Sequence, residues 1–146
     1  MNNKDQDRNF VSPDMDKYSE EAKKRWGDTE AYKQSQQRVK KMTKEDFARI
    51  QVESDLLMNE MVVNMKSGVG SEQVQKLIDR HYNNLRHFYE PNLELYRGLA
   101  GMYVEDVRFS EYFEKFGVGL AGFMSEAMVV YCDRKSDGSF LYPVEN

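Results

Sequence analysis

Apart from its 25 carboxylates, this chain has few side chains suited to nucleophilic or metal chemistry: His81, His87 and the single cysteine Cys132. One stretch, the glycine run "GVGLAG" at 117–122, looks like a ligand-binding motif. The run matches G-x-G-x-x-G, which cradles a dinucleotide pyrophosphate only between a strand and a helix. Here the preceding "EYFEKF" reads as helix, so the run is expected to be a helix break before a closely packed helix start. The two histidines are six residues apart and face different sides of a helix, so they do not chelate one ion together. A di-iron bundle needs Glu-x-x-His, and the residues three before are Ile78 and Asn84. One cysteine leaves a zinc site short of thiolates. Cys132 sits off the apolar stripe of its helix, near the end, with no helix N-terminus to activate it. A Ser/His/Asp or Cys/His triad assembles in space and is not legible from spacing. Nothing positive points to catalysis, and no metal, cofactor or catalytic residue is expected.

The elements that position these groups are helical. "TKED" at 43–46 carries a capping box, Thr43 with Asp46 three residues on. Phe47, Ile50, Leu57 and Met61 then form one stripe, with Ser54 and Asn64 as polar positions on it. The helix is predicted to end near Ser67, before Gly68. Ser71 caps the next helix, striped by Val74, Leu77, Ile78, His81, Tyr82, Leu85, Phe88 and Tyr89, the best amphipathic pattern in the chain. Pro91 is expected to end it and open a third helix with Leu93, Tyr96, Leu99, Ala100 and Tyr103 inward. Gly98 and Gly101 lie inside that helix, each at a cost of roughly 1 kcal/mol against Ala; close approach by a neighbour or ligand is the expected compensation. Asp106 caps a short helix with Phe109, Tyr112, Phe113 and Phe116. A last helix is predicted over Leu120–Cys132. No segment alternates with a period of two, so the expected class is all-α.

At 146 residues the chain is one domain long. No apolar run approaches the ~20 residues of a membrane span, and the N-terminus lacks the apolar core of a secretory signal. The lone cysteine fits a reducing cytoplasm. Ten Lys/Arg and eight Asp/Glu fall in 1–42, against eleven and seventeen in 43–146. An acidic body argues against direct nucleic-acid binding. Nine Met, nine Tyr and eight Phe provide core filling or an adaptable apolar surface.

The stretch "EEAKKRWGDTEAYKQS" (20–35) differs in kind. Tyr18, Ala22 and the sole tryptophan, Trp26, share a narrow face. Gly27 is expected to stop that helix and Asp28 to cap another carrying Tyr32, Val39 and Met42. Helices this short are marginal in water unless something covers them.

Read together, "YSEEAKKRWGDTEAYKQS" (18–35), "RHYNNLRHFYEP" (80–91) and "YRGLAGMYVEDVRFSEYFEKFGVGLAGFMSEAMVVY" (96–131) resemble the TipAS antibiotic-recognition domain. In that family it is usually the effector half of MerR-type transcriptional activators. The resemblance implies a globin-like core of about five helices without haem, plus two N-terminal lid helices. It implies a flexible segment at 1–16, a lid at 17–42, a core at 43–132 and a tail at 133–146. It implies binding of bulky, largely apolar antibiotics, thiopeptide or albicidin-like, under a lid that folds on binding, for transcriptional activation or drug sequestration. Trp26 and Tyr32 fall in the lid motif. His81, Tyr82, Leu85 and Phe88 fall on the cleft-lining helix, and Tyr96, Met102, Tyr103, Phe109 and Phe113 in the rest of its wall.

No helix-turn-helix or dimerising coiled coil precedes residue 17. A monomer is expected unless the chain is part of a longer dimeric regulator. Some family members trap thiopeptides through a cysteine, but Cys132 does not align with that role, so non-covalent binding is expected. The alternatives are a protein-interaction module using the apolar cleft and, least favoured, a haem-based sensor through His81.

Overall fold

The computed structural model describes residues 27–136, all helix, turn or loop. Among the described residues six α-helices follow one another: α1 Glu30–Lys41, α2 Lys44–Asn64, α3 Glu72–Asn84, α4 Leu93–Glu105, α5 Val107–Glu114 and α6 Leu120–Ser136. The expected flexible lead-in, the first lid helix and Trp26 lie outside the described residues, as does most of the expected tail.

Local chemistry sets the helix starts. At α2 the Asp46 N–H donates to the Thr43 hydroxyl (3.0 Å) and the Thr43 N–H donates to the Asp46 carboxylate (2.9 Å). The bond from the Thr43 N–H first, and then that from the Arg49 guanidinium (3.1 Å), hold the Asp46 carboxyl below its usual range. The Ser71 hydroxyl accepts from the Val74 N–H at α3, and the Asp106 carboxylate from the Arg108 N–H at α5. Two starts differ from expectation. α1 is capped by Thr29, whose hydroxyl accepts from the Tyr32 N–H, rather than by Asp28. Pro91 lies ahead of α4 rather than in its first turn; Asn92 is the cap.

Helix ends carry further differences. α2 tightens into a 3₁₀ turn at Met65–Ser67 before Gly68, whose φ of +96° suits glycine. The long second helix expected to reach Tyr89 is α-helical only to Asn84 and continues as a 3₁₀ turn, Leu85–His87. 3₁₀ turns of this kind are frequent at helix C-termini. α6 runs past Cys132 to Ser136, held by Arg97 to Asp133 (2.8 Å) and by Arg134 to the Gly70 carbonyl (3.1 Å).

The core sits between α6 and its neighbours. Leu120, Met124, Ala127, Met128, Tyr131 and Cys132 of α6 are sealed against residues of α2, α3, α4 and α5. Cys132 is therefore an inward residue, contrary to the stripe reading. Its thiol lies 3.6 Å from the Leu93 carbonyl, and burial pushes its pKa up. Gln75, polar in the sequence, is also fully buried; its amide donates to the Val69 and Ala127 carbonyls.

The glycine run closes the fold at the α5–α6 junction. A Cβ at Gly117 would come within 3.0 Å of Val62, so the turn packs directly on α2. Glu114 reaches across the turn and accepts from the Gly119 N–H (2.7 Å) and the Ala121 N–H (3.0 Å), which hold its carboxyl below the usual range. The amides a phosphate would use at this helix start are occupied by the protein's own carboxylate. Gly98 and Gly101 show no close approach among the described residues: a Cβ at Gly98 meets nothing within 4 Å, and one at Gly101 only the Glu105 carboxylate at 3.7 Å.

Candidate functional site

α3 and α4 are joined by a buried polar network in an otherwise apolar interior. The His81 Nδ1 lies 2.7 Å from the Tyr96 hydroxyl, and the Nε2 lies 3.2 Å from the Tyr103 hydroxyl. A neutral imidazole, one nitrogen donating and the other accepting, satisfies both. Burial makes the neutral form the stable one and lowers the His81 pKa to about 4. With both nitrogens engaged, His81 does not present the open nitrogen that a haem iron needs, so the geometry does not favour the haem reading.

Aromatic rings extend from this network in two directions. Tyr82 stands edge-on to Tyr96 (5.0 Å between centroids), and both meet Tyr131. Tyr103 lies against Phe113 at 4.4 Å and Phe109 at 5.4 Å. Such tilted and edge-to-face pairs stabilise beyond the area they bury, by about 0.5–1.5 kcal/mol each.

The residues expected to line a cleft therefore divide into two sets. Tyr96 is wholly interior, and Met102, Tyr103 and Phe113 are 6%, 6% and 4% exposed. His81 is buried. By contrast Tyr82, Leu85, Phe88, Phe109 and Tyr32 are only half-buried. Trp26 is outside the described residues. Met102, though buried, does not join the continuous core cluster.

Two further residues share the half-covered character. Phe47 and Ile50 continue the inner stripe of α2 that is sealed at Leu57, Met58 and Met61, yet both stay half-buried outside the core cluster. This half of α2 is held from two sides. Gln51 donates to the Tyr112 hydroxyl of α5 (3.2 Å), and Glu53 lies 3.0 Å from His87, just past α3. The stripe was legible in the sequence, but its division into sealed and half-covered halves was not.

The arrangement suits apolar recognition. It offers rings, a thioether and neutral polar groups, and Cys132 is a buried thiol with a raised pKa. Among the described residues no three or more His, Cys, Asp or Glu side chains are placed to hold a metal ion, and no helix is long and apolar enough to cross a membrane.

A family model, the TipAS antibiotic-recognition domain, matches residues 18–131, most of the chain. The chain belongs to this family. A solved structure of TipAS in complex with nosiheptide, from a thiopeptide antibiotic multidrug resistance system of Streptomyces lividans, superposes on this TipAS domain with a TM-score of 0.79. The two are 34% identical, and the match covers 91% of this chain and 94% of that one. The HTH-type transcriptional activator TipA of Streptomyces coelicolor is 37% identical over 123 residues, 82% of this chain and 49% of its own length. The HTH-type transcriptional activator mta of Bacillus subtilis is 27% identical over 121 residues, 82% of this chain and 47% of its own length. This TipAS domain thus spans about half the length of the curated relatives it matches.

Proposed function

We propose that this domain binds bulky, largely apolar antibiotics of the thiopeptide class without forming a covalent bond. The observation that carries the reading is the half-covered apolar set on four segments: Phe47 and Ile50 of α2, Tyr82 at the end of α3, Leu85 and Phe88 just beyond it, and Phe109 of α5. Tyr82 and Phe109 of this set lie directly against Tyr96 and Tyr103 of a buried floor, His81–Tyr96–Tyr103–Phe113. The floor residues act by holding the rim in place. Tyr32 on α1, together with Trp26, supplies the lid. The solved nosiheptide complex of a 34% identical chain supports thiopeptides as the ligand class.

Ring stacking supplies about 0.5–1.5 kcal/mol per pair beyond area burial. Ordering a lid on binding costs about 2–5 kcal/mol of that gain, which makes ligand presence a structural switch. The reading includes no catalytic step: His81 is committed to two tyrosines and Cys132 is a buried thiol. Because the relatives are transcriptional activators about twice as long, we assign the output to drug-induced transcription, with sequestration as the role of the domain by itself. The acidic body supports a domain that does not touch nucleic acid directly, and we take the domain as monomeric and cytoplasmic.

The test is titration with nosiheptide and thiostrepton, followed by circular dichroism and by the fluorescence of Trp26. Saturable binding with a gain in helicity is expected. A panel of thiopeptides giving neither would overturn the proposal.

A further inference from the structure

Where the 3₁₀ extension of α3 stops, one pair of backbone groups is left open. The Tyr89 N–H donates to the Leu85 carbonyl (3.0 Å), a helical bond. The next such bond would join the Glu90 N–H to the Arg86 carbonyl, but the chain leaves the helix ahead of Pro91. Groups stranded at a helix end need partners from elsewhere. α1 supplies both. The Arg38 guanidinium donates to the Arg86 carbonyl at 2.6 Å, and the Gln34 side-chain carbonyl accepts from the Glu90 N–H at 2.8 Å. Gln34 and Arg38 are one helical turn apart and so share a face of α1.

Charges extend the same contact. Arg38 lies 3.6 Å from one Glu90 carboxylate oxygen, and Arg86 donates to the other at 3.2 Å. The Arg86 guanidinium in turn sits 5.9 Å from the centre of the Tyr82 ring. α1 has no fully buried residue, and its apolar side chains have only partial cover, at Ala31 and Tyr32, so these polar contacts are a large share of what fixes it here.

We propose that Gln34 and Arg38 form a polar latch that closes the broken turn at 86–90 and sets the position of α1, and with it Tyr32, at the mouth of the cleft. They are positioning residues: they act on the ligand through α1 and, through Glu90 and Arg86, on Tyr82. This rests on the ligand-binding reading above for its consequence, but not for the latch itself. Bonds that hold α1 in place against the broken turn lower the cost of ordering the lid on binding, so losing them lowers apparent affinity without altering the cleft.

The experiment uses the full chain as Gln34→Ala, Arg38→Ala and Arg38→Lys. Amide hydrogen exchange is measured both without and with nosiheptide, and nosiheptide affinity by titration. Gln34→Ala is expected to speed exchange at the Glu90 amide, and both alanine variants to speed exchange across 33–41. Arg38→Ala should weaken nosiheptide binding by roughly ten-fold or more, the scale of one hydrogen bond to a charged group, and Gln34→Ala, which removes a bond between neutral groups, by roughly two- to ten-fold, with the melting transition of the remaining helices unchanged. Arg38→Lys, which keeps a cationic donor, should recover part of both effects. Unchanged exchange at Glu90 and 33–41 would overturn the latch. So would unchanged affinity in the alanine variants when the wild-type chain binds. If the wild-type chain binds no thiopeptide, the functional reading falls, and exchange alone decides the latch.

Discussion

His81 makes a quantitative prediction about acid stability. Its pKa falls from 6.5 to about 4 on folding because burial penalises the charged ring. The unfolded chain therefore takes up a proton as pH drops below 6.5, while the folded chain stays neutral until about 4. Stability contributed by the neutral ring is full above 6.5, declines through this window and is gone below 4. One proton at 1.36 kcal/mol per pH unit over this interval gives about 3 kcal/mol in all, of which about 2 kcal/mol is lost by pH 5. Carboxylates also destabilise the fold in acid, so the comparison is with His81→Gln, which keeps an amide able to donate and accept but does not titrate. Urea unfolding at pH 7, 6, 5 and 4.5 should show the wild-type chain losing stability faster than the variant. The gap between the two slopes is the His81 contribution, whatever the variant's stability at pH 7. Parallel pH profiles would refute the reasoning. If the variant does not fold, the NMR titration of the His81 ring decides: a midpoint near 6.5 would show that the ring is not held neutral.

Along α2, Met61→Ala should cost about 2–5 kcal/mol in chemical denaturation, because a sealed side chain leaves a cavity. Phe47→Ala, on the same stripe, should cost clearly less while weakening nosiheptide binding; equal losses of stability would place Phe47 in the core. Gly98→Ala should raise stability by roughly 0.5–1 kcal/mol, since the added methyl meets nothing and the unfolded chain loses freedom. A lower melting temperature would mean that something approaches Gly98 after all.

The family resemblance and most helix starts were legible in the sequence because the signals are local. A capping box needs Thr43 and Asp46 three residues apart, and a heptad stripe needs only its own helix. The expected helices α2 to α6 therefore appear in order. The misplaced starts at Thr29 and Asn92 show the limit of this: neighbouring polar residues can serve as the same cap, and a shift of one residue at α1 or two at α4 changes no pattern.

Contacts between distant segments required the tertiary structure. The stripe of α2 reads alike from Phe47 to Met61, yet α6 and its neighbours cover only part of it. Gln75 and Cys132 look peripheral until the Val69 and Ala127 carbonyls and the start of α4 close over them. The glycine run already read as a helix junction, but that Glu114 occupies its amides required the packed chain. His81 meets Tyr96 and Tyr103, 15 and 22 residues away, and Gln34 and Arg38 complete a turn about fifty residues along the chain. Periodicity fixes which way a side chain points on its own helix. What it meets there depends on how the helices cross, and that is a property of the packed chain.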